Sequence, residues 1–426
     1  MLLIKNGTVV DPGQDLCAKK DILVKDGRIM WIKRNIASAP ECDTIDAKGC
    51  IVAPGLVDVH VHFRDPGFPY KEDIETGARA AVKGGFTSVV LMANTKPPVD
   101  NEETIAYVIK KGEAVDLNVY TCAAVTKGMA GAELTDMDLL HAHGAVGFTD
   151  DGIPIMDEAL LETAFRNVIR LKVPISLHEE DPSLIINNGI HQGKASAHYG
   201  IGGSPREAEI SLIKRDLELA LKTGAVLNIQ HISTKEGVQL VREAKRRAAE
   251  MGSNHIHAEA TPHHFSLTEE AAIRYGTLAK MNPPLREEAD RLAIIEGLRD
   301  GTIDMIATDH APHSSEEKQR PITEAPSGII GLETALSLGV TNLVEANGFT
   351  HMQLLQCMST NPAKMYGLNA GTLAEGAPAD LVIYDPKESR IVGNYVSKAS
   401  NSPFTGQKLQ GVVKYTIVKG TIVYKD

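Results

Sequence analysis

The sequence predicts an α/β protein: a closed (β/α)8 barrel of the TIM type, accompanied by a small β domain made from the two ends of the chain. Three observations carry that expectation. Residues 1–50 and the last fifty-odd read as short β runs broken by turn dipeptides, whereas the middle alternates short apolar strands with longer helical patterns. Eight such strands can be picked out, the number that closes a barrel. The 426 residues also exceed the roughly 250–300 at which a single core usually stops growing, so a large domain with a smaller one is favoured.

The N-terminal β runs are "LLIKNGTVV", "KDILVKDGRIMWI" and "TIDAKGCIVAP", separated by Asp-Gly, Pro-Gly and Lys-Gly turn signals. "ADLVIYDP" and "VVKYTIVKGTIVYKD" match them at the other end. Two β-rich ends around an unlike middle suggest that they pair, although two separate β domains would read alike. The expected boundaries are 1–53 with 369–426 for the composite β domain and 54–368 for the barrel. The barrel strands are expected at 55–60, 87–93, 117–123, 145–149, 174–178, 226–231, 255–260 and 304–308. Helical patterns at 71–83, 157–170, 205–222, 236–251 and 289–299 fall in the gaps, with glycines near several of their ends. An open doubly wound sheet is the rival architecture. It more often uses fewer strands, and no G-x-G-x-x-G follows the first one.

With 43% hydrophobic and 23% charged residues, the composition is that of a globular enzyme and excludes a disordered or fibrous chain. No apolar run approaches the roughly 18 residues of a membrane span, and the opening "MLLIKNGTVVDPG" lacks a basic n-region, so a cytoplasmic protein without a membrane role is expected. The five cysteines (Cys17, Cys42, Cys50, Cys122, Cys357) are odd in number and never spaced C-x-x-C. That argues against both a disulfide framework and a thiolate zinc site, and leaves nitrogen and oxygen as metal donors. A net charge of −11 has the wrong sign for nucleic acid. The basic run "REAKRRAAE" at 242–250 is read as a solvated helix face.

The chemistry is concentrated where the strands end. The first strand ends in "DVHVH", and residues two apart in a strand face the same way, so His60 and His62 would project together. The fourth ends in Asp150 and Asp151, the fifth in His178, the sixth in His231 and the eighth in Asp309. Any one of these alone is as well explained by ordinary packing. Together they occupy the C-terminal strand ends, which converge on one axial pocket in a βα barrel. Four imidazoles and two carboxylates suit a borderline divalent ion, zinc first, with manganese, cobalt or nickel able to substitute. Six ligands exceed one tetrahedral ion. A binuclear site is the economical arrangement, with His60, His62 and Asp309 on one ion, His178 and His231 on the other, and a carboxylate between; a single ion with a partly filled second position stays open.

The motifs "DVHVHFRDPG", "MANTKPP", "GFTDDG", "SLHEED", "IQHIST", "ATPHHFSLT", "KMNPPLR", "ATDHAPHS" and "APSGIIGLET", spanning 54–333, together closely resemble the dihydroorotases of the amidohydrolase superfamily, in particular their bacterial type I branch. The β-rich ends are similar to that family's composite β-sandwich domain. The resemblance implies that His60, His62, His178, His231 and Asp309 are metal ligands. Many relatives bridge two zinc ions with a carboxylated lysine on the fourth strand, but this chain has no lysine between Lys127 and Lys172. The resemblance puts Asp151 in that bridging place together with a hydroxide, and leaves Asp150 to hydrogen-bond nearby.

The implied reaction is the reversible cyclisation of N-carbamoyl-L-aspartate to L-dihydroorotate in pyrimidine biosynthesis, by metal-bound hydroxide attack on a cyclic amide, with Asp309 as acid and base. Substrate would meet His62, Arg64, Asn94, Asn282, His313, Ser327 and Gly328. Arg64, two residues beyond His62, is expected to keep the strand's facing and offer a planar fork to a carboxylate, with a surface pair to Asp65 or Glu72 as the plain alternative. Residues 310–328 show no periodicity and are long for a structureless loop, which favours a lid. His263 and His264 are expected to shape the end of the seventh strand. The other functions in play are a dihydropyrimidinase or allantoinase type of cyclic-amide hydrolase, and a non-catalytic scaffold for aspartate transcarbamoylase. That enzyme is also a candidate partner of an active chain, and a homodimer is the default assembly.

Overall fold

Alternating apolar residues at the N-terminal end form β1 (Leu2–Lys5), β2 (Thr8–Asp11), β3 (Leu16–Lys19), β4 (Asp21–Lys25), β5 (Arg28–Lys33), β6 (Asp43–Asp46) and β7 (Ile51–Pro54). Residues 1–37 and 42–426 are described in this computed structural model. The first two β runs of the sequence are each divided by a turn. Asn6 at φ 64° separates β1 from β2, and Asp26 and Gly27, at φ 51° and 74°, make the tight hairpin between β4 and β5.

The barrel follows as β8 (Leu56–Val61), β9 (Phe86–Leu91), β10 (Asn118–Ala123), β11 (Ala145–Phe148), β12 (Ile175–Leu177), β13 (Leu227–Ile229), β14 (Ile256–Ala260) and β15 (Met305–Ile306), all parallel and paired in chain order. Helices lie in the predicted gaps at Ile74–Lys83, Glu158–Leu171, Arg206–Thr223, Lys235–Glu250 and Glu288–Asp300. The first shows why they form: the Asp73 carboxylate accepts the Thr76 N–H at 2.8 Å, and Ile74, Ala78, Ala81 and Val82 share one buried face. Fully burying a branched side chain of this kind contributes about 1.5–3 kcal/mol. In the basic run, Arg242 pairs with Asp300, Lys245 with Asp304, Arg246 with Glu243 and Glu250, and Arg247 with Glu218, as a solvated face requires.

The C-terminal end supplies β16 (Leu381–Ile391), β17 (Lys408–Val418) and β18 (Thr421–Lys425). β16 runs antiparallel to β7, the strand that leads into the barrel, and completes a six-stranded sheet ordered β18-β17-β16-β7-β2-β3. A four-stranded sheet, β5-β4-β1-β6, shares a core with it that includes Leu2, Ile4, Ile22, Val52, Leu381 and Ile417. Both ends of the chain therefore contribute to the β layers, as expected. All five cysteines are free thiols, and among the described residues no helix is long and apolar enough to cross a membrane.

The barrel closes at an unusual seam. β15 has only two residues, too few to zip onto β8 by a regular ladder. The join is made by a bridge between Val61 and His310, with the His62 N–H donating to His310 O at 2.9 Å. Deeper in, the fully buried Asp58 carboxylate accepts the N–H groups of Thr308 and His60, each at 3.1 Å. Burial pushes the Asp58 carboxyl up to about 7, against those hydrogen bonds. Asp58→Ala should strand two buried N–H donors at about 1–3 kcal/mol each. The check is denaturant unfolding together with amide exchange at Thr308, and unchanged protection there would remove Asp58 from the seam.

Candidate metal centre and substrate pocket

The candidate metal-binding side chains, with Arg64 and Asn94, leave the barrel at or just past a strand end. The backbone turns sharply at three of these positions: Arg64, His231 and Asp309 have φ of 58°, 30° and 46°, left-handed values that non-glycine residues seldom adopt. Arg64 therefore does not continue the facing of a strand. β8 stops at Val61, and the left-handed turn brings the guanidinium to the pocket instead.

The donor atoms converge. His60 Nε2 lies 3.4 Å from Asp151 Oδ1 and 3.5 Å from Asp309 Oδ1, and His62 Nε2 lies 2.9 Å from Asp309 Oδ1 and 3.4 Å from Asp151 Oδ2. His231 Nε2 is 3.9 Å from Asp151 Oδ1 and 3.0 Å from His178 Nδ1. Within this cluster of described residues two sets of donors are mutually close enough for an ion, namely His60, His62 and Asp309, and His60, Asp151 and His231. His60 thus belongs to both sets, whereas the sequence reading put it in one. His178 adjoins the second set through His231. Asp150 turns away, accepting from the backbone N–H groups of Val125 and Thr126 at 2.8 and 3.2 Å.

Outer partners decide which nitrogen each histidine presents. His60 Nδ1 lies 2.6 Å from Glu259 Oε1, so its N–H donates to that carboxylate and Nε2 is left facing the cluster. His62 Nδ1 donates to Asn94 Oδ1 at 2.8 Å, and Asn94 in turn donates to Asp151 Oδ2 at 2.9 Å. His178 Nε2 faces Glu180 Oε2 at 3.3 Å, which turns Nδ1 toward His231.

This arrangement fits a divalent cation. His60 Nε2 is buried without a hydrogen-bond partner although it faces two carboxylates. Two imidazole nitrogens 3.0 Å apart, as in His178 and His231, repel unless a proton or a cation lies between them. Burial opposes a charge on His60, yet Asp151, Glu259 and Asp309 push its pKa well above the ordinary value. Asp151, although buried, is held well below the usual carboxylate range by His60, His62 and His178. Burial, with Arg64 beside His62 and with His178 and His60 beside His231, lowers both of those imidazoles, which favours their neutral, ion-binding form, and the cluster offers N and O donors only.

One pocket opens above it, lined by His62, Arg64, Asn94, Asp151, His178, His231, Asn282, Asp309, His313, Ser327 and Gly328 among others. The residues proposed from sequence as substrate contacts all face this space, and His60 lies beneath it. Arg64 is half-buried, and its Nε donates to Pro312 O at 3.4 Å. Neither plain alternative holds: Asp65 accepts from Tyr107 at 2.8 Å, and Glu72 from Thr76 and Ser397. His313 donates from Nε2 to Ser327 O at 2.8 Å, so that donor is engaged within the protein. His264 bonds Thr261 Oγ1 and Pro283 O at 2.7 and 2.9 Å, consistent with shaping the end of β14. Residues 310–328 are not structureless: they include a helical turn at Ser315–Lys318, capped by Ser314.

Glu259 and Glu180 escaped the sequence reading. The available signal was "HIHAEA", where an acid sits inside an apolar strand; a fully buried Glu is rare unless paired. Glu259 is also held by Asn228 Nδ2 at 2.8 Å. Glu259→Gln, which keeps the shape but loses the charge behind His60, should weaken divalent-metal affinity by about 10- to 100-fold. Competition against a chromogenic chelator measures it, and wild-type affinity would leave Glu259 a packing residue.

Comparison with known proteins gives the family. Residues 51–423 match the amidohydrolase family. The chain is 54% identical to a dihydroorotase of Clostridioides difficile and 51% identical to one of Clostridium acetobutylicum, covering 100% of each and of itself. A dihydroorotase of Streptococcus pneumoniae is 50% identical, again over 100% of both chains. Among solved structures it is similar to L-hydantoinase (dihydropyrimidinase) from Arthrobacter aurescens, with a TM-score of 0.88 and 28% identity over 100% of this chain and 96% of that one. D-hydantoinase (dihydropyrimidinase) from Thermus sp. gives 0.86 and 26% over the same shares. The chain belongs to the amidohydrolase family and, within it, to the dihydroorotases.

Proposed function

We propose that the chain interconverts N-carbamoyl-L-aspartate and L-dihydroorotate at a zinc centre of two ions. His60, His62 and Asp309 would hold one ion, His178 and His231 the other, with Asp151 reaching both. A divalent ion supplies Lewis acidity there, acidifying the attacking water and polarising the amide carbonyl. The protein's own groups do the rest. In hydrolysis, Asp309 takes a proton from the water as its oxygen bonds to the carbonyl carbon, and returns it to the ring nitrogen as the C–N bond breaks. In cyclisation, Asp309 takes a proton from the attacking ureido nitrogen and passes it to the departing oxygen. Glu259 and Asn94 keep His60 and His62 in one tautomer throughout.

The observation that carries the choice of substrate is Arg64. Among the described residues it forms no ion pair, yet it lines the pocket beside the donor cluster. A guanidinium placed there awaits a carboxylate, which dihydroorotate and carbamoyl-aspartate have and hydantoin lacks. The structural likeness to hydantoinases favours a second reading, a hydrolase of uncharged cyclic amides. Metal analysis paired with hydrolysis assays on dihydroorotate and hydantoin separates the two, and turnover of hydantoin with none of dihydroorotate would decide for the second. Aspartate transcarbamoylase is the proposed protein partner, tested by co-elution.

Asp309→Ala should abolish turnover in both directions while the melting temperature stays near that of the unaltered chain; an active variant would remove the proton-transfer role. Arg64→Met should raise KM in both directions, for the loss of a charge-assisted bond of about 1.5–3 kcal/mol, and an unchanged KM would contradict the assignment.

A further inference from the structure

Two lysines beside the pocket are buried without a carboxylate. Lys280 is 5% exposed and Lys318 is 4% exposed. Lys280 Nζ donates to the carbonyls of Ile322 and Ala325, both at 2.7 Å, and Lys318 Nζ to those of Pro326 and Gly328, at 2.9 and 3.1 Å. The acid next to Lys318 in the chain, Glu317, is taken by Lys71 at 2.9 Å. Among the described residues neither ammonium forms an ion pair. Burial, reinforced by Lys280, pulls Lys318 down to about 7, with Glu317 opposing. A lysine buried in this way is rare and has to repay its lost hydration.

What the two lysines hold is the stretch that ends in Ser327 and Gly328. The Gly328 N–H donates to Lys280 O at 2.9 Å, and Asn401 Nδ2 donates to Gly328 O at 3.0 Å from the C-terminal side. Gly328 has φ 143°, and a Cβ there would come within 2.8 Å of Ala311 O, so only glycine lets the chain pass. In a trans peptide the C=O and the next N–H point oppositely. Drawing Pro326 O onto Lys318 therefore turns the Ser327 N–H away from Lys318. The carbonyl oxygens that would repel an anion are thereby occupied by lysine N–H donors behind the peptide.

We infer that Lys318, seconded by Lys280, is a positioning residue for the carboxylate-bearing end of the substrate, holding the Ser327–Gly328 edge with its carbonyls turned onto buried ammonium groups. The inference rests on the dihydroorotase reading above. In the metal-loaded full chain, Lys318→Met should raise KM for dihydroorotate about tenfold or more while kcat stays within about threefold. Metal content should stay at its wild-type value, and the melting temperature should fall, because Pro326 O loses its buried donor, while the variant stays folded at the assay temperature. Lys318→Gln, which keeps a donor but not the charge, should fall between the two. An unchanged KM, or a fall in kcat alone, would overturn the role of Lys318 and leave the activity assignment standing. Failure of the unaltered chain to turn over dihydroorotate would instead sink the reading beneath it. If Lys318→Met is unfolded, Lys318→Gln is read against the same criterion, and loss of folding in both would assign Lys318 to stability and overturn the inference.

Discussion

Asp58 closes the barrel where the last strand is too short to close it, and the candidate metal centre depends on that closure. Its carboxylate takes the N–H of Thr308 on one side and of His60 on the other. The residue after Thr308 is Asp309, so one buried group registers a histidine of the first strand against an aspartate of the eighth. His62 and Asp309 are 247 positions apart in the chain, yet their donor atoms meet at 2.9 Å. Were the seam held only by a sparse ladder, its opening would separate the donors that define one ion position. A buried carboxylate is a costly way to join two strands, but it supplies two acceptors where β15 offers too little backbone.

Charge is sorted vertically in this pocket. Its floor holds the carboxylates of Asp151, Asp309 and Glu259 around His60, an arrangement that attracts a cation. Its rim holds Arg64, and Lys280 and Lys318 lie buried behind the Ser327–Gly328 edge, none of the three ion-paired among the described residues. The two layers are complementary to a metal ion below and a carboxylate above. Mixed freely, these groups would satisfy one another by ion pairing and leave nothing to bind. Asp65 and Glu317, the acids next in sequence to Arg64 and Lys318, are engaged instead by Tyr107 and Lys71.

Much of this was legible in the sequence because it follows from period and position. Short apolar runs alternating with helical patterns located all eight strands to within two or three residues, and polar residues at their ends marked His60, His62, the Asp150–Asp151 pair, His178, His231 and Asp309 as neighbours. Other features were not legible, each for a physical reason. Asp150 and Asp151 are adjacent and chemically alike, and which of them faces the axis depends on the Val125 and Thr126 N–H groups of another loop. Glu259 sits inside an apolar strand, where its contact with His60 depends on closure of the ring. Lys280 and Lys318 look like surface lysines, because carbonyl partners leave no mark in a sequence.

The turn residues expose the deepest limit of local reasoning. Arg64, His231 and Asp309 adopt left-handed backbone conformations that favour glycine, yet glycine there would carry no ligand. The chain must leave the strand direction at once, so that the next segment runs outward to its helix, while the side chain stays over the axis. Neighbouring hydrogen bonds hold each turn: Phe68 N–H to Arg64 O at 2.8 Å, Ile232 N–H to Glu259 O at 3.0 Å, and His62 N–H to His310 O at 2.9 Å. A left-handed non-glycine residue costs on the order of 1–3 kcal/mol, and a packed barrel can absorb that where an isolated loop could not. Strain and function therefore coincide because the same short turn must both release the backbone and retain the donor.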